Sequence, residues 1–168
     1  MPRTTIETLR GDLESSCLAI HMHLAEIDQT RAAVHEVGHA LIANSRGVVV
    51  ELIELHGADG AGGARLAQEP RPSELDRLWI LHGGPQAENV IFGKWLPTGI
   101  SSDHDDISLA FEVASNLGVY NPAVMQQVGQ FLRVHRVGLE LVTSRLLEVN
   151  TLHGAELDRL LQEGMAKQ

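Results

Sequence analysis

Five consecutive residues carry most of the chemistry legible in this chain: His35-Glu36-Val37-Gly38-His39. Side chains four apart on a helix leave the same face. His35 and His39 can therefore offer two imidazoles to one divalent cation such as Zn2+. Zinc brings the pKa of a water into the neutral range. Glu36 adjoins His35 and is placed to take that water's proton during attack on a carbonyl, then to pass it to the leaving amine. The pattern predicts metal-assisted peptide hydrolysis with Glu36 as the catalytic base. H-E-x-x-H also arises by chance on helices whose histidines are merely solvated. Gly38 argues against chance, because glycine inside a helix costs about 0.8–1.0 kcal/mol relative to alanine. Its presence points to something packed closely there.

A zinc site needs at least a third protein ligand. The single cysteine, Cys17, excludes a multi-thiolate site and an intrachain disulfide. Two carboxylate sources remain. One is the run Asp103-His104-Asp105-Asp106, whose acids would also suit the first turn of a helix through the helix dipole. The other is Glu88, on the helix that follows Gly83-Gly84. His21 and His23 are two apart, share no helix face, and are read as surface residues.

These residues need elements to hold them. Residues 4–29 and 30–45 read as helices from their apolar spacing, with Asp28 or Thr30 as cap and Gly47 as stop. Val48 to His56 is rich in β-branched residues and reads as a strand. The glycines from Gly57 to Gly63 predict a turn, and Ala64–Ala67 a short strand returning beside the first. Ser73 caps a helix with Glu74 and Asp76 in its first turn. A break is expected at Pro85, since proline inside a helix costs about 3 kcal/mol. The pattern resumes to Gly93, followed by a loop from Lys94 to Ser102. A helix then runs to about Asn116, a long one covers Ala123–Val149 with Pro122 in its first turn, and Thr151 opens the last.

The chain of 168 residues has 43% hydrophobic but only 4% aromatic residues, which indicates an aliphatic, helix-leaning interior. The net charge of −9 gives no footprint for nucleic acid or for an anionic membrane. No segment has the order of a signal peptide or the roughly 20 apolar residues that span a bilayer. The expectation is one domain over 1–168 in the cytoplasm, with no nucleic-acid or membrane partner.

Several segments in register resemble the protease domain of the FtsH-type ATP-dependent zinc metalloproteases. His35-Glu36-Val37-Gly38-His39 is followed by Ala40-Leu41. Gly83-Gly84-Pro85-Gln86-Ala87-Glu88 leads to Phe92-Gly93, and Thr98-Gly99-Ile100-Ser101 precedes the acidic run. Leu146-Leu147-Glu148-Val149-Asn150-Thr151-Leu152-His153-Gly154-Ala155-Glu156 completes the set. The resemblance covers about Arg31 to Leu161. It implies an α+β, predominantly α-helical metallopeptidase fold with a small two- or three-stranded sheet. Residues 1–29 would be an N-terminal helical extension and 30–165 the family-like core. It implies Zn2+ as cofactor, His35 and His39 as ligands, Glu36 as base and an aspartate as third ligand. Helix phase in Asp106-Ile107-Ser108-Leu109-Ala110 favours Asp106; direct counting from Thr98-Gly99 gives Asp103 as the alternative. Glu88 would then orient a histidine ligand.

No segment resembles the family's ATPase module or membrane helices. The implied substrate is a flexible or unfolded protein or peptide, with an ATPase or unfoldase acting in trans and a homo-oligomer as the assembled state. The strand at Ala64–Ala67 could hold substrate by strand addition. The competing reading is a zinc-binding adaptor or interaction module without turnover.

Overall fold

The computed structural model describes residues 28–56, 61–93 and 102–166, with side chains of the last stretch described from Asp105 onward. The expected helix over 4–29 lies outside the described residues apart from residues 28 and 29, which already belong to the next helix.

That helix, α1, covers residues 28–45. Its stripe of Val34, Val37 and Leu41 is buried together with Ala33 and Ala40. It stops at Gly47, whose φ of +73° lies in the left-handed region that favours glycine. Strand β1 (Val50–His56) follows and is the middle strand of an antiparallel sheet of order β2-β1-β3. Its Ile53 lies opposite Ala64 on one side and Leu152 on the other, and it is fully buried.

The neighbouring strand β2 spans Ala61–Leu66, so Gly62 and Gly63 lie in the ladder rather than in the turn expected for them. Glycine weakens a strand by itself, but both residues pair with β1, and Gly62 also lies close against Glu36 of α1. The third strand, β3 (Thr151–His153), replaces the helix start expected at Thr151. Asn150 turns the chain in the left-handed conformation, and its carbonyl accepts the Leu55 N–H at 2.9 Å. Leu152 is fully buried there.

Helix α2 (Glu74–Phe92) begins as expected at Ser73, whose hydroxyl accepts the Asp76 N–H at 3.1 Å. It runs unbroken through Pro85. Proline removes one N–H from the ladder, but every residue from His82 to Glu88 is buried, and packing on both sides keeps the helix continuous. Helices α3 (Ser102–Leu117), α4 (Asn121–Val134), α5 (Arg136–Val149) and α6 (Gly154–Ala166) complete the described residues. The long helix expected over Ala123–Val149 is therefore two, divided at His135. Beyond the break α5 meets α6 in backbone contact: a Cβ on Gly138 would lie 2.1 Å from the Gly164 carbonyl oxygen.

Helix α2 packs on α3 and α4, α5 packs on α6, and α6 also reaches the sheet. The fold is α+β and mainly helical, with one small antiparallel sheet. Among the described residues no helix is long and apolar enough to cross a membrane.

Candidate metal centre

Two glycines decide how α1 and α2 meet. A Cβ on Gly38 would lie 2.5 Å from both the Ala87 Cβ and the Gly83 carbonyl oxygen. The helices thus touch backbone to backbone, which accounts for glycine in the middle of α1. Gly84 lies beneath the imidazoles. A Cβ there would be 2.5 Å from His35 Nε2 and 2.6 Å from His39 Nε2. Any side chain at 84 would fill the space between the two rings.

Hydrogen bonds fix both rings. His35 Nδ1–H donates to Glu88 Oε1 at 2.7 Å, and His39 Nδ1–H donates to the Ile80 carbonyl at 2.7 Å. With both Nδ1 atoms donating, each Nε2 can present a lone pair to a cation once the proton it shares with Asp106 is given up. These two Nε2 atoms are 2.9 Å apart. Asp106, carried by α3, places Oδ2 3.1 Å from His35 Nε2 and 3.0 Å from His39 Nε2. Tetrahedral ligands at about 2.0–2.1 Å from one ion stand roughly 3.3 Å from each other. Two imidazoles and a carboxylate in such a triangle are a donor set that could hold a metal ion.

Glu88 stands behind this triangle. One of its oxygens receives His35 and the other receives Nε–H of Arg31. Arg31 and Glu88 are 5% and 4% exposed, so the pair is shielded from water. The side chain of Asp103 lies outside the described residues, as does the segment holding Thr98 to Ser101.

The electrostatics favour positive charge between the rings. Burial disfavours a charged His35, but hydrogen bonds to Asp106 and Glu88, aided by the charges of Glu36 and Glu88, push its pKa up to about 9. Burial likewise opposes ionisation of Asp106, yet hydrogen bonds from His35 and His39 hold its carboxyl well below the usual carboxylate range. His82 behaves differently. Burial lowers its pKa, and its Nε2–H donates to Asn121 Oδ1 at 2.7 Å, tying α2 to α4.

The triangle opens into a cleft of about 350 Å³. Glu36 lines it beside the histidines, Ile80 and Leu81 form an apolar side, and Asp105 and Asp106 bring acid. Ala64 and Leu66 of β2 form the facing wall.

Sequence reasoning brought His35, Glu36, His39, Glu88 and Asp106 forward, and the fold gathers all five. It missed Arg31, Gly84 and the Ile80 carbonyl. Arg31 is four residues before His35 on α1, so the same helical spacing that pairs the histidines could have drawn attention to it. Nothing in the sequence marks the Ile80 carbonyl.

The chain is similar to the ATP-dependent zinc metalloprotease FtsH 2 of Sphaerobacter thermophilus. Identity is 28% over 179 residues, covering 82% of this chain and 27% of that protein. This chain therefore spans about a quarter of that relative's length. No protein-family profile matches it.

Proposed function

We propose that this chain is a zinc-dependent metalloendopeptidase, with His35, His39 and Asp106 as ligands and Glu36 as general base. The observation that carries the reading is the triangle of two Nε2 atoms and one carboxylate oxygen, each about 3 Å from the others, opening on a cleft that Glu36 lines. The distant likeness to a zinc metalloprotease supports it.

Bound there, zinc would supply the Lewis acidity that activates a water and polarises a peptide carbonyl. The chain's own residues do the rest. Glu36 accepts the water's proton as the water attacks, then delivers it to the leaving nitrogen. Glu88 holds the His35 ring through Nδ1, and the Ile80 carbonyl holds His39, so neither ligand spends alignment energy when the cation binds. The wall at Ala64 and Leu66 belongs to β2, an edge strand of the sheet. An extended substrate can add to that edge through backbone hydrogen bonds, with little demand on side chains. Such a mode suits flexible or unfolded polypeptide, delivered where needed by an ATPase or unfoldase in trans.

Metal analysis paired with a casein-type peptidase assay tests the reading. Wild type and Glu36→Gln should each hold about one zinc per chain, and only wild type should cleave. Zinc in both with cleavage by neither would point to a binding module without turnover. Replacing Ala64 or Leu66 with proline should remove peptide cleavage and leave zinc content unchanged; intact cleavage would reject strand addition.

A further inference from the structure

The geometry points to Gly62 as a positioning residue for Glu36: the bare backbone of β2 at this position sets where the side chain of the proposed base can stand. This rests on the reading of Glu36 as general base. Side chains alternate along a strand; β2 pairs regularly with β1 from Ala61 to Arg65, and the one register shift falls on β1, between Val50 and Leu52, leaving β2 without an extra residue. Gly62, Ala64 and Leu66 therefore share one face, and Ala64 and Leu66 on that face line the cleft beside Glu36. The face is graded, from no side chain at 62, through a methyl at 64, to isobutyl at 66.

At position 62 there is no room for a side chain. A Cβ on Gly62 would lie 2.9 Å from Glu36 Cγ, 3.1 Å from the Glu54 carbonyl oxygen and 3.3 Å from Leu55 Cδ2. Real Cβ contacts do not reach the first of these distances, and the second neighbour is a backbone oxygen held in the β1 strand, less free to shift than a side chain. Glu36 is the group that must move. Gly63 points the other way, and a Cβ there would meet only His56 Nε2 at 4.0 Å. Two adjacent glycines in one strand thus differ in a single respect relevant to the site. None of the three atoms nearest a Cβ at Gly62 belongs to His35, His39 or Asp106, so its effect on the site passes through Glu36.

Four chains test this: wild type, Gly62→Ala, Gly63→Ala and Glu36→Gln. A misplacement of about 1 Å at a reacting group can cost roughly 100-fold in rate. Gly62→Ala should therefore lose at least about tenfold in kcat, with KM and zinc affinity by chelator competition within about twofold of wild type. Gly63→Ala should behave as wild type. Wild-type kcat in Gly62→Ala, or an equal loss in Gly63→Ala, would overturn the assignment.

Thermal unfolding of the zinc-free protein reads the contact without any activity. Gly62→Ala should lower Tm in the wild-type background by more than in a Glu36→Ala background, where the opposing Cγ is gone. Equal shifts in the two backgrounds would also overturn it. Full activity in Glu36→Gln would instead remove the general-base reading, and the unfolding cycle would still report whether the two residues touch.

Discussion

At the scale of single residues, the site depends on what is absent as much as on what is present. Gly84 contributes no atom to the donor set, yet a methyl there would lie 2.5–2.6 Å from Nε2 of both His35 and His39. Gly84→Ala should therefore cut zinc affinity by at least about 100-fold, more than a typical loss of an outer-shell partner. Chelator competition measures this directly, with circular dichroism to verify the fold. Glu88→Gln should cost about 10–100-fold in affinity, because His35 loses a charged acceptor at Nδ1. Arg31→Met acts on the same chain from behind. It leaves the Glu88 carboxylate buried beside His35 without its guanidinium partner, and truncating a buried pair in this way costs about 3–5 kcal/mol. Urea unfolding of the variant checks that figure. The histidine spacing and the acidic run were legible in the sequence because both are local. The Arg31–Glu88 pair joins residues 57 apart, and pairing across such a distance leaves no local pattern.

Among the elements, those with strong local signals stand where the sequence puts them. The apolar stripe of α1, the β-branched run of β1, and the serine cap with acidic first turn of α2 are examples. Elements that depend on distant partners were not legible. Strand β3 is three residues long and exists through its pairing with β1. His135 divides α4 from α5 with neither glycine nor proline at the junction, so nothing local marks the break, and the close contact of Gly138 with Gly164 beyond it joins distant residues. The α2 cap offers a test with a pH signature. The Ser73 hydroxyl, working against partial burial and helped by Arg46, holds the Asp76 carboxyl below its ordinary value of 3.8. A depressed carboxylate stabilises the fold above its unfolded pKa, and that stability is lost as pH falls through the folded value. Ser73→Ala should cost about 1 kcal/mol near pH 7, and the difference from wild type should narrow below about pH 3.8. Denaturant titrations of both chains at pH 7 and pH 3 provide the comparison; a constant difference would reject the charge contribution.

For the molecule as a whole, the arrangement is a helical frame that brings α1, α2 and α3 to one point and lays the edge of a small sheet across it. The cleft of about 350 Å³ is small for a folded substrate and has apolar and acidic sides. The proposed activity should therefore degrade casein-like chains and leave a stably folded reporter intact in the absence of an unfoldase. Gel-resolved digests of the two substrates measure that selectivity. Zinc content measured with peptidase rate across wild type, Glu36→Gln and Asp106→Asn tests the proposed metal-dependent hydrolysis most directly. The proposal predicts about one zinc per chain and cleavage in wild type, zinc without cleavage in Glu36→Gln, and loss of both in Asp106→Asn. Full zinc retention in Asp106→Asn, or an unchanged rate in Glu36→Gln, would contradict it.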